Sequence, residues 1–86
     1  MKLDIALFGA FREFEPQARV PIEVPDDATV AEVRAALLAH GQAHWPGFRA
    51  GLLQRSAFAS PSRVLRESDA IEADVMLTVL PPVGGG

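Results

Sequence analysis

The chain has 86 residues, of which 49% are hydrophobic and 22% charged, and it carries a formal net charge of −3. That length makes one domain with a single core, and the acidic balance argues against a phosphate-binding or nucleic-acid surface. There is no cysteine, which excludes disulfides, thiolate metal sites and thiol nucleophiles together.

No apolar run approaches the length of a membrane span. Met1-Lys2-Leu3-Asp4-Ile5 places an acid within its first apolar run, unlike a signal peptide. The expectation is a cytoplasmic protein whose partners are proteins, with no membrane and no nucleic acid among them.

Residues 2–8 alternate, with Leu3, Ile5 and Leu7 on one face and Lys2, Asp4, Ala6 and Phe8 on the other. This predicts a half-buried strand. Gly9-Ala10 releases it, and Phe11 to Pro16 reads as a loop. Val20, Ile22 and Val24 mark a second strand, which Pro21 restricts to a sheet edge. The two form a hairpin with a wide loop. Thr29-Val30-Ala31-Glu32 then fits a capping box, and Val30, Val33, Leu37 and Leu38 fall on one helical face. Gly41 is the residue expected to end this helix, with His40 in its last turn.

Trp45, Phe48, Leu52 and Leu53 look like a cap over one end of the core, broken by Pro46-Gly47 and Gly51. Ala57-Phe58-Ala59 predicts a short strand, Pro61-Ser62 a turn, Val64-Leu65 a brief extended piece, and Arg66-Glu67-Ser68-Asp69 a polar connection. Val75, Leu77 and Val79 alternate with Met76, Thr78 and Leu80 in a final strand. The class implied is α+β, a mixed sheet of four to five strands packed on one main helix. The domain covers residues 1–80 and an extended tail covers residues 81–86.

That tail, Pro81-Pro82-Val83-Gly84-Gly85-Gly86, is the most unusual stretch of the chain. Two prolines stop a strand, and three residues without side chains follow them. At up to roughly 3.5 Å per residue, six residues reach about 20 Å beyond the body. The tail is either a functional arm or an uninformative Gly-rich end.

Catalytic side chains are hard to find. His40 and His44 are four apart, but Gly41 should end the helix between them, and no third metal ligand is near in sequence. Ser56, Ser60, Ser62 and Ser68 lack a nucleophile-elbow context. Asp26-Asp27, Glu13 and Glu15 read as turn and loop acids, and the glycines match no phosphate loop. The outward face of the sheet is more informative. If Leu3, Ile5, Leu7, Val75, Leu77 and Val79 face the helix, then Phe8, Met76 and Leu80 face outward near the tail. Either the 42–54 segment covers them or they form a docking patch.

Several stretches together resemble the small subunits of molybdopterin synthases, within the ubiquitin-like, β-grasp family of sulfur carriers. They are Leu7-Phe8-Gly9-Ala10-Phe11-Arg12-Glu13, the helix start Thr29 to Val33, Leu52-Leu53, and the closing strand into Pro81-Pro82-Val83-Gly84-Gly85-Gly86. The resemblance implies a β-grasp fold and a C-terminal Gly86 carboxylate that an E1-like adenylyltransferase activates with ATP and Mg²⁺. Gly86 then becomes a thiocarboxylate, and the tail inserts into the synthase large subunit, in a heterotetramer, to pass sulfur to a cyclic pyranopterin. On this reading the chain binds no metal or cofactor itself, and the catalytic residues lie on the large subunit. By position the resemblance matches Phe8 and Leu80, and Val64 less closely, to apolar contact residues of the family; with Met76 of the outward face and Pro81, Pro82, Val83, Gly84 and Gly85 of the tail, these are the expected partner contacts. Two departures from the family stand out. Ala73-Asp74-Val75-Met76 replaces an Asp-Gly-Asp-Glu turn, and Ser60-Pro61 should end its strand early. A thiazole-pathway carrier, a ubiquitin-like modifier joined through Gly86, and an interaction module with an inert tail remain alternatives.

Overall fold

The computed structural model of the protein describes residues 1–73 and 75–82. Five strands form one sheet: β1 (Lys2–Leu7), β2 (Arg19–Glu23), β3 (Ala57–Ala59), β4 (Val64–Leu65) and β5 (Leu77–Leu80). Their order is β2-β1-β5-β3-β4, with β1 and β5 parallel and every other neighbour antiparallel. Two helices, α1 (Val30–His44) and α2 (Ala50–Gln54), complete the domain. This is the ubiquitin-like β-grasp architecture that the sequence predicts.

The alternation in β1 is realised, with Leu3, Ile5 and Leu7 buried and Lys2 and Asp4 exposed. Val20 and Ile22 of β2, Phe58 of β3, and Leu77 and Val79 of β5 join them in one core. The helix contributes Val30, Val33 and Leu37, each fully buried. Burying a side chain of this kind stabilises the fold by about 1.5–3 kcal/mol before conformational entropy is counted. A single helical stripe therefore holds the sheet to α1.

Pro21 sits in β2 at the sheet edge, as expected. Leu7 N–H donates to Ala18 O, and Val24 N–H donates to Met1 O. These bonds set the phase of the ladder, so the Asp4–Pro21 pair is non-hydrogen-bonded. The Pro21 nitrogen thus faces the open edge, where a missing donor costs nothing and discourages pairing with another chain.

Four elements differ from expectation. Residues Gly9–Phe14 form a 3-10 helix rather than a loop, because Phe11 and Phe14, three apart, both turn inward. Helix α1 does not end at Gly41 but runs to His44. Gly41 is instead a packing site, since a Cβ there would lie 2.9 Å from the Phe48 ring. The helix stops where Trp45 N–H bonds Gly41 O at 2.9 Å and Pro46 forces its predecessor into an extended conformation. Gly51 likewise lies within α2 rather than breaking it.

The closing strand starts at Leu77 rather than Val75. Val75 N–H instead donates to Glu72 O at 3.2 Å, outside the ladder. At the other departure, β3 ends at Ala59, just ahead of Ser60-Pro61.

The segment after α1 does cap one end of the core. Trp45 and Leu53 are buried, with Phe48 and Leu52 packed against them. Trp45 stacks on Phe14 at a centroid distance of 4.9 Å and donates its indole N–H to Glu15 Oε2 at 2.8 Å.

Candidate functional site: the outer sheet face and the root of the C-terminal arm

Strand registry places small side chains at the centre of the face away from α1. Ala6 lies opposite Thr78, Thr78 opposite Ala59, and Ala59 opposite Val64. Ala57 lies opposite Leu80. Because neighbours in a strand point to opposite faces, these residues face away from the core that Leu7, Phe58 and Val79 fill. The result is a low floor of alanine and threonine with bulkier apolar groups around it.

Phe8, Val64 and Met76 are the exposed large hydrophobic residues of the described chain, at 52%, 61% and 61%. Leu80, Pro81 and Pro82 are half-buried at the end of β5. The cap formed by Trp45, Phe48 and Leu53 packs against Phe14 and the core and leaves these residues uncovered. An apolar group left in water on one face is a feature of interaction surfaces. Of the predicted contact residues, Phe8, Val64, Met76, Leu80, Pro81 and Pro82 are thus described. Val83, Gly84, Gly85 and Gly86 lie outside the described residues, as does Asp74.

Phe8 is held extended, at φ −121° and ψ 157°, as the last such residue before the 3-10 helix. Phe11 N–H closes the turn on Phe8 O at 3.2 Å. Across the strand pair Gly9 has φ +59°, and a Cβ there would lie 2.6 Å from Pro81 Cγ. Sequence reasoning treats Gly9 only as a strand end. Its role becomes visible once β1 and β5 are known to be parallel neighbours. Beside Phe8, Arg12 is exposed and makes no ion pair among the described residues. Asp4 and Arg19 form an exposed ion pair on this same outward face, toward the start of β1.

His40 and His44 share one helix, contrary to expectation, with ring centroids 4.7 Å apart. Among the described residues no group of three His, Cys, Asp or Glu could hold a metal ion. His40 instead packs edge-on against Trp45 at 5.4 Å. No helix among the described residues is long and apolar enough to cross a membrane.

Two carboxyls are held below their ordinary range. Glu67 accepts from Arg34 Nε at 3.0 Å and Nη2 at 2.6 Å, and the Arg34 hydrogen bond is the main cause of its lowered pKa. Asp69 accepts from the Arg66 backbone N–H at 2.8 Å and from Arg63 Nη1 at 2.9 Å, and the backbone bond is the larger cause of its own lowering. Both lie in the β4–β5 connection and anchor the start of α1. They belong to the scaffold behind the face.

The ThiS family matches residues 5–86. A protein of Synechococcus elongatus named molybdopterin synthase sulfur carrier subunit is 33% identical over 86 residues, covering 98% of this chain and 96% of its own. Among solved structures, SAMP1 from Haloferax volcanii superposes with a TM-score of 0.72 at 24% identity over all of both chains. The solution structure of the Haloferax volcanii HVO 2177 protein gives 0.68 at 27%, covering all of this chain and 87% of that one. The β-grasp fold, the apolar face ending at the arm and the match over nearly the whole length agree: the chain belongs to the ThiS family of ubiquitin-like sulfur carriers.

Proposed function

We propose that this chain is the sulfur-carrier subunit of a molybdopterin synthase, and that its cargo rides on the Gly86 carboxylate. The observation that carries this reading is the apolar face of Phe8, Val64, Met76 and Leu80, which runs up to the root of a Gly-rich arm in a chain with no cysteine. A carrier without thiols must store sulfur elsewhere, and the terminal carboxylate is the group at the end of the reach.

The carboxylate is ionised at neutral pH and a poor electrophile. An E1-like adenylyltransferase, using ATP and Mg²⁺, would join it to AMP and release pyrophosphate. A sulfur nucleophile from a donor would then attack the carbonyl carbon and expel AMP, leaving a thiocarboxylate. The chain itself binds no cofactor in this scheme. The Phe8 face docks first on the activating enzyme and then on the large subunit, in a heterotetramer. Pro81 and Pro82 start the arm, and Val83, Gly84 and Gly85 thread it so that Gly86 reaches a cyclic pyranopterin. Catalytic residues for the transfer belong to the large subunit. The name of the relative from Synechococcus elongatus favours this acceptor over a thiazole precursor.

Deleting the gene is expected to abolish molybdenum-cofactor enzymes while thiamine-independent growth persists. A copy lacking Gly85-Gly86 should not restore them although it folds. Loss of thiazole synthesis alone would move the acceptor to that pathway. Full complementation by the truncated chain would reduce it to an interaction module. Isopeptide-linked adducts of Gly86 with lysines of other proteins would instead favour a modifier.

A further inference from the structure

Leu7 lies opposite Val79 in the parallel β1–β5 ladder, so Gly9 and Pro81 come abreast where that ladder ends. There the two strands part. β1 turns at Gly9 into the 3-10 helix, and β5 runs on into prolines that cannot extend the ladder. The Pro81 ring rests on the bare Gly9 backbone. A Cβ on Gly9 would meet Pro81 Cγ at 2.6 Å and Cδ at 3.5 Å. Gly9 also has φ +59°, a left-handed conformation that glycine adopts without strain. The residue before it is Phe8, the aromatic of the docking face. One joint therefore couples that aromatic to the origin of the arm.

We propose that the Gly9–Pro81 contact is a positioning joint that sets the direction in which the C-terminal arm leaves the sheet relative to the Phe8 face. Docking of the face then delivers Gly86 to the partner's reaction centre rather than beside it. This inference rests on the carrier reading above. Pro81 and Pro82 restrict φ at the root of the arm, and over the roughly 20 Å that six extended residues can reach, a tilt of about 10° at Pro81 amounts to about 3 Å. Errors of about 1 Å in the placement of reacting groups can cost on the order of a hundredfold in rate.

The test uses the full chain, thiocarboxylated, with the large subunit, and measures kcat and KM for sulfur transfer together with the thermal midpoint. Gly9→Asn is the informative variant, because asparagine tolerates the left-handed backbone yet carries the offending Cβ. Its kcat should fall about tenfold or more while KM, governed by the Phe8 face, changes by less than about twofold. Pro81→Ala removes the Cγ that the introduced Cβ would strike. The double variant should therefore recover to the kcat of Pro81→Ala alone, and assays run well below the thermal midpoint of every variant keep a loss of stability from the same clash out of kcat. Wild-type kcat in Gly9→Asn overturns the joint, and so does a loss that tracks the thermal midpoint and is not relieved by Pro81→Ala. Should Gly9→Asn not fold, Pro81→Ala alone decides, with a fall in kcat larger than any rise in KM expected and an unchanged kcat overturning the joint. A wild-type chain that transfers no sulfur at all would sink the carrier reading and the joint with it.

Discussion

Arg34 uses every nitrogen of its guanidinium inside the molecule. Nε and Nη2 grip the Glu67 carboxylate, while Nη1 donates to Leu53 O at 2.6 Å and to Ser56 O at 2.8 Å. The guanidinium carbon also lies 5.0 Å from the centre of the Phe58 ring. One side chain thus ties α1 to the end of α2, to the start of β3 and to the β4–β5 connection. Arg34→Ala strips partners from both carbonyls and is expected to cost about 2–3 kcal/mol, read from the denaturant unfolding midpoint. Arg34→Lys should recover only part, since an ammonium cannot copy the planar fork. A change below about 0.5 kcal/mol, the size of an ordinary surface substitution, would contradict this role. Nothing around position 34 in the sequence announces it, because the partners lie 19, 22 and 33 residues away.

The secondary-structure elements were legible wherever their signal is local. Alternation in β1 and the Thr29–Glu32 capping box depend only on near neighbours, and both form as read. The end of α1 was not legible, because Gly41 answers to Phe48, whose ring fills the space beside a glycine that in sequence resembles a C-terminal signal. The 3-10 helix was missed for a related reason: Phe11 and Phe14 read as loop aromatics until Trp45 supplies a surface for Phe14 to stack on.

The β4–β5 connection shows how such elements are joined. Its Asp69 and Glu67 carbonyls accept from the Val30 and Ala31 N–H groups, donors that the first turn of a helix leaves unpaired. Glu67 and Asp69 also titrate lower in the folded chain than when unfolded. A depressed carboxyl pKa stabilises the fold at any pH above the unfolded value. That stabilisation is lost as the pH falls through the ordinary carboxylate range, around pH 4, and on through the lowered folded values. Unfolding free energy should therefore be level near neutrality and decline on acidification, with Glu67→Gln flattening part of the decline. A curve of identical shape in the variant would contradict the assignment to Glu67.

At the scale of the molecule, the division of labour is between an inner face that makes the core and an outer face that is polar near the start of β1 but exposes Phe8 and Val64 without a structural need for it. Phe8 is half exposed and absent from the core, so Phe8→Asp should lower the thermal midpoint only modestly. Affinity for the large subunit, measured by calorimetry, should drop about tenfold or more, as when an aromatic anchor is removed from an interface. Undiminished affinity would shift docking to another surface. The face was legible in sequence because Phe8, Met76 and Leu80 occupy the outward phase of strands whose inward phase is plainly core. What the sequence could not reveal was the parallel neighbouring of β1 and β5, which brings Phe8 and Gly9 alongside the root of the arm.

The most direct test of the central claim is thiol-specific alkylation of the full chain, purified from cells with an intact sulfur pathway and mapped by mass spectrometry. Intact mass alone is ambiguous, because exchanging oxygen for sulfur changes it almost as oxidation of Met1 or Met76 does. With no cysteine in the chain, an alkyl adduct on Gly86 can arise only from a terminal thiocarboxylate, and that is the predicted result. An unalkylated chain, with the activating enzyme present and ATP and a sulfur donor supplied, would contradict the carrier account.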